Sequence, residues 1–518
     1  MSTLYTGGRV FTGSGPGAFS SAFRVEDGRV TWVGEATRAP HADALVDLGG
    51  AVVLPGLLDV HTHPLLMALL AADADLLPPA CRSRADVLAA LRARAASGAE
   101  WVTGYGYSED AYADGPPTLA DLDAVAADRP VFIQRADGHN AMANSVALRR
   151  AGLGDDSPDP PGAALGRDAA GRLDGRLIEP PAVALVDRLR QRPTASELAD
   201  RLVGLNDHFL GHGLVALDDK WANSGPDPWG SYVLAKRRGF VPDVAVFFGW
   251  ANGVPDPATL EPAPGLRLGG VKVFLDGAFS SRTAWVDAPY PGSCDHGMST
   301  LSDADLRAAC AWAREHCVQL AAHAMGDAAI AHLLDVLAEV EPWLGDRPSI
   351  VVEHASVLTP ALVARVRARR GVAVVTHTNF FFAEWASYAA NLTDAARPHT
   401  YPLRALYDTP GPLALASDSP ATAWSDCDDP WLSIAAAVTR RTVDGTAFNP
   451  AQALTVGEAL HLFTGRAAQI TTNRGVGVLT AGSDASFVVL DADPFALDPA
   501  ELGRVRAREV WLRGVRAR

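Results

Sequence analysis

Apolar and polar positions fall into two textures along the chain. Toward the start, GRVFTG, AFRVEDGRVTWVG and ALVDLGGAVVLPG alternate apolar with polar residues between glycine-bearing turns, the rhythm of short strands joined in hairpins. The same rhythm returns from about Asn473, in GVGVLTAGSDASFVVLDADPF and VRAREVWLRGVRA. Two strand-rich ends around a long middle predict that residues 1–55 and 473–518 meet in one small β-sandwich domain.

Between the ends the texture changes to continuous apolar runs separated by Ala/Leu/Arg-rich helical stretches. A strand that reads apolar on both faces is covered on both, the mark of βα units around a parallel sheet. Eight runs fit: GLLDVHTH (56–63), GLVALDD (213–219), DVAVFFGW (243–250), VKVFLDG (271–277), QLAAHAMGD (319–327), IVVEHAS (350–356), VAVVTHTN (372–379) and PLALASDS (412–419). They favour a distorted TIM (β/α)8 barrel over 56–472, although the count alone leaves an open doubly wound sheet in play. The stretch between the first two runs is too long for a crossover. Residues 75–200, which carry WVTGYGYSED and PVFIQRADGHNAMANS, are therefore expected to be an inserted lid subdomain.

Composition narrows the partners. The 518 residues are 48% hydrophobic and 20% charged, with a mean hydropathy of +0.06, which fills a large core and sets aside disordered and collagen-like classes. A net charge of −15 repels phosphate backbones and anionic lipid, so neither nucleic acid nor membrane is an expected partner. Five cysteines without a CxxC pair, a start lacking a leader pattern and no apolar stretch of spanning length together predict a cytoplasmic protein. Of 45 basic Lys and Arg residues only Lys220, Lys236 and Lys272 are lysines, so each one asks for a reason.

Candidate chemistry gathers where the apolar runs end. His61 and His63, Lys272, His323, His354 and Asp418 stand at or near the C-terminal ends of five of the runs, the face on which βα barrels assemble their sites. His61 and His63 are two apart, so both imidazoles point to one side of an extended strand and can share a metal ion. Each has a plainer reading: a lone histidine as a hydrogen-bonded structural group, Asp418 as a helix N-cap, Lys272 as an ion pair with Asp276. Four histidines, a lysine and an aspartate at equivalent strand ends weigh against coincidence, because unpaired polar groups near a core are destabilising. Lys272, among Val271, Val273 and Phe274, is the sharpest case. A buried lysine can lose its proton and take up CO2 as a carbamate, which arginine cannot do.

These motifs resemble the metal-dependent amidohydrolase superfamily, and more closely the amidohydrolase family 3 group that includes N-substituted formamide deformylases. PGLLDVHTH is similar to its HxH strand, GGVKVFLDGAFSSRTA to its lysine strand, AAHAMGDAAI and VVEHASVL to its later histidine motifs, and LALASDSPA to its terminal aspartate motif. DGHNAMANSVAL, GRDAAGRLDGRLIE, GEALHLFTGRAAQI and TAGSDASFVVLDADPF extend the likeness over nearly the whole chain. The resemblance implies two divalent ions, zinc first with iron or manganese as substitutes. His61, His63 and Asp418 would hold one, His323 and His354 the other, and a carbamate on Lys272 would bridge them. It implies hydrolysis of a non-peptide C–N bond in a small N-substituted amide or formamide by a metal-activated hydroxide, with Asp418 moving the proton.

The chain departs from the family pattern after the seventh run, where VVTHTNFFFAEW replaces a Met-Gln-Pro type of segment. His377 in that segment is read as a substrate contact, with loop capping as its alternative. In the insert His139, Tyr105 and Tyr107 are read in the same role, His139 having a local turn with Asp137 as its alternative. Phe380, Phe381, Phe382 and Trp385 read as loop packing. The rival readings are a metal-dependent lyase such as a decarboxylase on the same scaffold, and a non-catalytic interaction protein. A homodimer is left open.

Overall fold

In this computed structural model, which describes residues 1–107, 112, 114–136 and 140–518, the eight apolar runs become eight strands of one parallel sheet. They are β1 (Leu57–Thr62), β2 (Leu214–Asp219), β3 (Asp243–Gly249), β4 (Leu266–Phe274), β5 (Gln319–Ala324), β6 (Ile350–His354), β7 (Val372–Thr376) and β8 (Leu413–Leu415). Each strand pairs with the next in chain order, as successive right-handed βα crossovers require. The two edges then approach one another. Asp418 N donates to His61 O at 2.7 Å and His63 N to Ser419 O at 2.8 Å, so the sheet is a nearly closed barrel joined just beyond the C-terminal ends of β1 and β8. The open sheet is thereby set aside.

The barrel interior explains a glycine pair. A Cβ on Gly270 would lie 2.0 Å from Gln319 O, and one on Gly269 2.3 Å from the Phe247 ring. With both side chains absent, Phe247 from β3 packs against Ala321 of β5, where with Ala245 it is wholly buried. That ring is in turn a floor: Lys220 Nζ sits 3.6 Å from its centroid.

Both ends of the chain feed a second sheet of eight strands. The join is Val52–Pro55 running antiparallel to Phe487–Leu490, with Phe487 opposite Pro55. Aromatic residues from both ends hold it together: Tyr5 stacks on Phe23 at 4.8 Å, Phe487 on Trp511 at 5.5 Å, and Tyr5 meets Phe487 edge-on at 5.1 Å. Hydrogen bonds link all these strands into one connected sheet.

The barrel and the terminal sheet belong to one compact unit, made of Met1–Leu65, Ala195–Ser419 and Cys427–Arg518. A second unit comprises Leu66–Thr194 with Pro420–Asp426. It has a six-stranded sheet of its own and a separate core around Leu76, Leu91, Ile133 and Met142. Among the described residues no helix is long and apolar enough to cross a membrane.

Candidate metal centre

Alternation along β1 puts Asp59, His61 and His63 on one side of the chain. Asp59 works from beneath: its carboxylate accepts from the backbone N–H groups of His61 (3.3 Å) and Ser417 (3.2 Å) and from the Ser417 hydroxyl (2.5 Å). One carboxylate thus locks the end of β1 to the segment after β8. Burial holds its own acid up at about 7, against the pull of the Ser417 and His61 bonds.

Asp418 is the hub of the upper layer. Its Oδ1 lies 2.8 Å from His63 Nε2 and 3.2 Å from His61 Nε2, and its Oδ2 3.8 Å from His354 Nδ1. Asp418 and His354 both have positive φ, at 57° and 70°. Such backbone costs a non-glycine residue about 1–3 kcal/mol and persists where the surroundings enforce it. Asp418 caps no helix, since the helix that follows, Pro430–Thr439, is capped by Asp429.

Two overlapping sets of possible ligand atoms, each within 4.8 Å of one another, occupy this mouth: His61, His63 and Asp418, and His61, His354 and His377. The structure therefore gathers His377 with the histidines as closely as they gather with each other. Its Nδ1–H donates to Ala416 O at 3.0 Å, while its buried Nε2 has no hydrogen-bond partner. His323 stands beside them, its ring 4.3 Å from that of His354 and its Nε2–H donating to Gly277 O at 3.0 Å. Lys272, 1% exposed, brings Nζ to 3.3 Å from His61 Nε2. The salt bridge proposed for it is not made. Asp276 is taken up by the backbone N–H groups of Trp285, Met325 and Gly326.

Charge follows from burial. Desolvation brings His323 down to about 3, with Lys272 adding to the fall, and His377 down to about 3, with His61 adding; His354 is lowered well below its ordinary range by burial and His323. All three are neutral at pH 7, the form that binds metal. His63 moves the other way: burial alone would lower it, but the nearby carboxylates of Asp219 and Asp418 outweigh that and lift it to about 9. Burial also pulls Lys272 to about 8, against Glu353 and Asp418. Buried Nε2 of His377 and Nδ1 of His354, without hydrogen-bond partners and close to ionised Asp418, suit a divalent cation.

Sequence reasoning missed the support around the site. Glu353, on the opposite face of β6 from His354, accepts from His61 Nδ1 at 2.7 Å. Its other oxygen faces Lys220 Nζ at 3.5 Å, and Lys220 reaches Asp218 at 3.4 Å. Tyr232 donates to Asp219 Oδ2 at 2.6 Å, and the other oxygen of Asp219 faces His63 Nδ1 at 3.6 Å. The available signal was the excess of charge inside apolar strands, DVH, DDK and VEH. Phe380 stacks on His377 at 4.9 Å, a packing role for the aromatic run.

The remaining candidates belong to the second unit or lie outside what is described. Tyr107 is 4% exposed in that unit's core, and Tyr105 OH reaches Pro420 O at 3.5 Å within the same unit. His139 and its suggested partner Asp137 lie outside the described residues.

Comparison with known proteins adds to this geometry. A model described as the amidohydrolase family matches residues 44–517. The chain is 29% identical to YtcJ of Bacillus subtilis (strain 168), an amidohydrolase by name, over 99% of both chains. It is 28% identical to an N-substituted formamide deformylase of Arthrobacter pascens, over 96% of this chain and 94% of that one. A solved structure of an uncharacterized metal-dependent hydrolase from Pyrococcus horikoshii has the same fold, with a TM-score of 0.76, 22% identity, and 96% and 99% of the two chains covered.

Proposed function

Because the chain belongs to the amidohydrolase family, we propose that it hydrolyses a non-peptide C–N bond in a small N-substituted amide or formamide. The observation that carries this reading is the convergence of His61, His63, His354, His377 and Asp418 on one barrel mouth, with buried Lys272 beside them. His323 completes the donor set, and a carbamate on Lys272 is the bridging ligand of the proposal. Two divalent ions bound by these residues, zinc by the mix of imidazole and carboxylate, would activate water and polarise the scissile carbonyl.

The residues of the chain have the remaining tasks. Asp418, kept ionised by His61 and His63 in spite of its burial, accepts a proton from the attacking water and returns it to the leaving nitrogen. Glu353 holds His61 with Nδ1 protonated and Nε2 free to ligate. Phe274, 41% exposed at the end of β4 and 5.1 Å from the His323 ring, offers an apolar wall to the nitrogen substituent. Metal-loaded protein should be tested on a panel of N-substituted amides and formamides, with amine and acid measured together. Equimolar amine and acid is the expected result. Carbon dioxide release without free amine would replace this reading with the lyase.

A further inference from the structure

A second group of ligating side chains, none of them used above, lies where the helix Asn206–Gly211 meets the segment leading into the helix Pro430–Thr439. His208 and His212 are four apart, on the short helix and at its C-cap, so their imidazoles share a face, with ring centroids 4.7 Å apart. Asp428 comes to them from far along the chain. Its Oδ2 is 2.7 Å from His208 Nε2 and 4.0 Å from His212 Nδ1, and the possible ligand atoms of the three residues all fall within 4.8 Å of one another.

We propose that His208, His212 and Asp428 form a separate site for a divalent transition metal of the zinc class, pinning the helix ahead of β2 to the segment that follows β8. Two imidazoles four apart plus one carboxylate make a three-ligand set with a fourth position open to water. His208 is 28% exposed and Asp428 only 1%, so an ion has an approach on one side and a buried anion on the other.

Two further observations point to a ligand. His212 Nδ1 and Asp428 Oδ1 are both shut off from solvent with no hydrogen-bond partner, an arrangement that costs about 1–3 kcal/mol for each such atom. The charge is also uneven. Asp429, next in the chain and buried, faces Arg506 at 3.3 Å, whereas among the described residues the ion-pair contacts of Asp428 are to the two imidazoles. A dication answers that anion and takes the open lone pairs together.

The test uses the full-length protein and zinc as the probe. Crystals of wild type grown with zinc should show an anomalous difference peak at the zinc edge within about 2.2 Å of one atom from each residue. Equilibrium dialysis followed by elemental analysis should find one equivalent fewer in His212→Gln than in wild type, with the barrel peak retained. Asp428→Asn should give the same loss, and if it fails to fold, His212→Gln, at a residue only partly buried, still decides. Absence of the wild-type peak, or equal zinc in wild type and His212→Gln, would overturn the site and leave a hydrogen-bonded His–Asp cluster. Neither result bears on the barrel chemistry.

Discussion

Glu353 accepts the Nδ1 proton of His61 at 2.7 Å, and both side chains are almost wholly buried. The same carboxylate answers Lys220 at 3.5 Å, so a candidate metal ligand on β1 and a buried cation just past β2 depend on one anion carried by β6. Burial alone would raise the Glu353 acid, yet His61 and Lys220 pull it down to about 2.

Replacing Glu353 with Gln keeps the shape but removes the charge. Lys220 is then left with Asp218 alone, and a buried pair broken from one side costs about 3–5 kcal/mol. His61 also becomes a poorer ligand, so metal affinity should fall about 10–100-fold. Adding Lys220→Met should restore much of the thermal stability and little of the metal affinity. Thermal melts and competition with a chromophoric chelator separate the two effects. Strictly additive melts would mean that Lys220 and Glu353 are not a unit.

His377 distinguishes ligation from substrate contact. With Nδ1–H given to Ala416 O and Nε2 turned toward the cluster, His377→Ala should lower metal retention after dialysis about tenfold or more, before any substrate is present. Full metal retention with a raised KM would return His377 to the substrate role that its place after β7 first suggested.

Much of this arrangement was legible because parallel barrel strands are buried on both faces and write continuous apolar runs, so polar residues at their ends stand out. His61, His63, Lys272, His323, His354 and Asp418 were found in that way. Glu353 and Lys220 were not: the charges inside DDK and VEH marked them as unusual, but the contacts of Glu353 with His61 and Lys220 join strands far apart in sequence, which neighbouring residues do not specify. His377 was noticed as an anomaly; it lies beside His354 because β6 and β7 are paired neighbours, but its proximity to His61 depends on closure of the barrel, which joins β8 to β1. The meeting of the two ends was legible in their shared strand texture, but that texture names no partner, so the pairing of Val52–Pro55 with Phe487–Leu490 was not.

Lys236 gives a pH test away from the barrel mouth. Burial lowers it from 10.5 to about 8, with Asp243 opposing and Arg513 assisting. Between those values the unfolded chain holds a proton that the folded chain has released, so this residue makes stability rise with pH through the window. Below pH 8 its penalty is complete. Lys236→Met removes the group, so its melting temperature relative to wild type should be most favourable at pH 7 and become steadily less so toward pH 10.5. A difference that stays flat with pH would show that Lys236 titrates as an ordinary surface lysine.

Lys272 provides the decisive substitution for the proposed chemistry. Its Nζ is already 3.3 Å from His61 Nε2, and burial favours the free amine that reacts with CO2. Lys272→Arg preserves positive charge, so a purely electrostatic role should partly survive it, but arginine forms no carbamate and its larger head would press on the histidines. Lys272→Ala removes both charge and bridge. If Lys272 is the bridging ligand, both variants should lose metal and activity, and a short carboxylic acid should partly rescue only the alanine variant by filling the vacated space with two oxygens. Acid releases CO2 from carbamates, so a crystal structure of metal-loaded wild type is a cleaner check than intact mass. Unmodified Lys272 between fully occupied metals, or near-normal turnover by Lys272→Arg, would reduce the proposal to a single-metal site built on the histidines and Asp418.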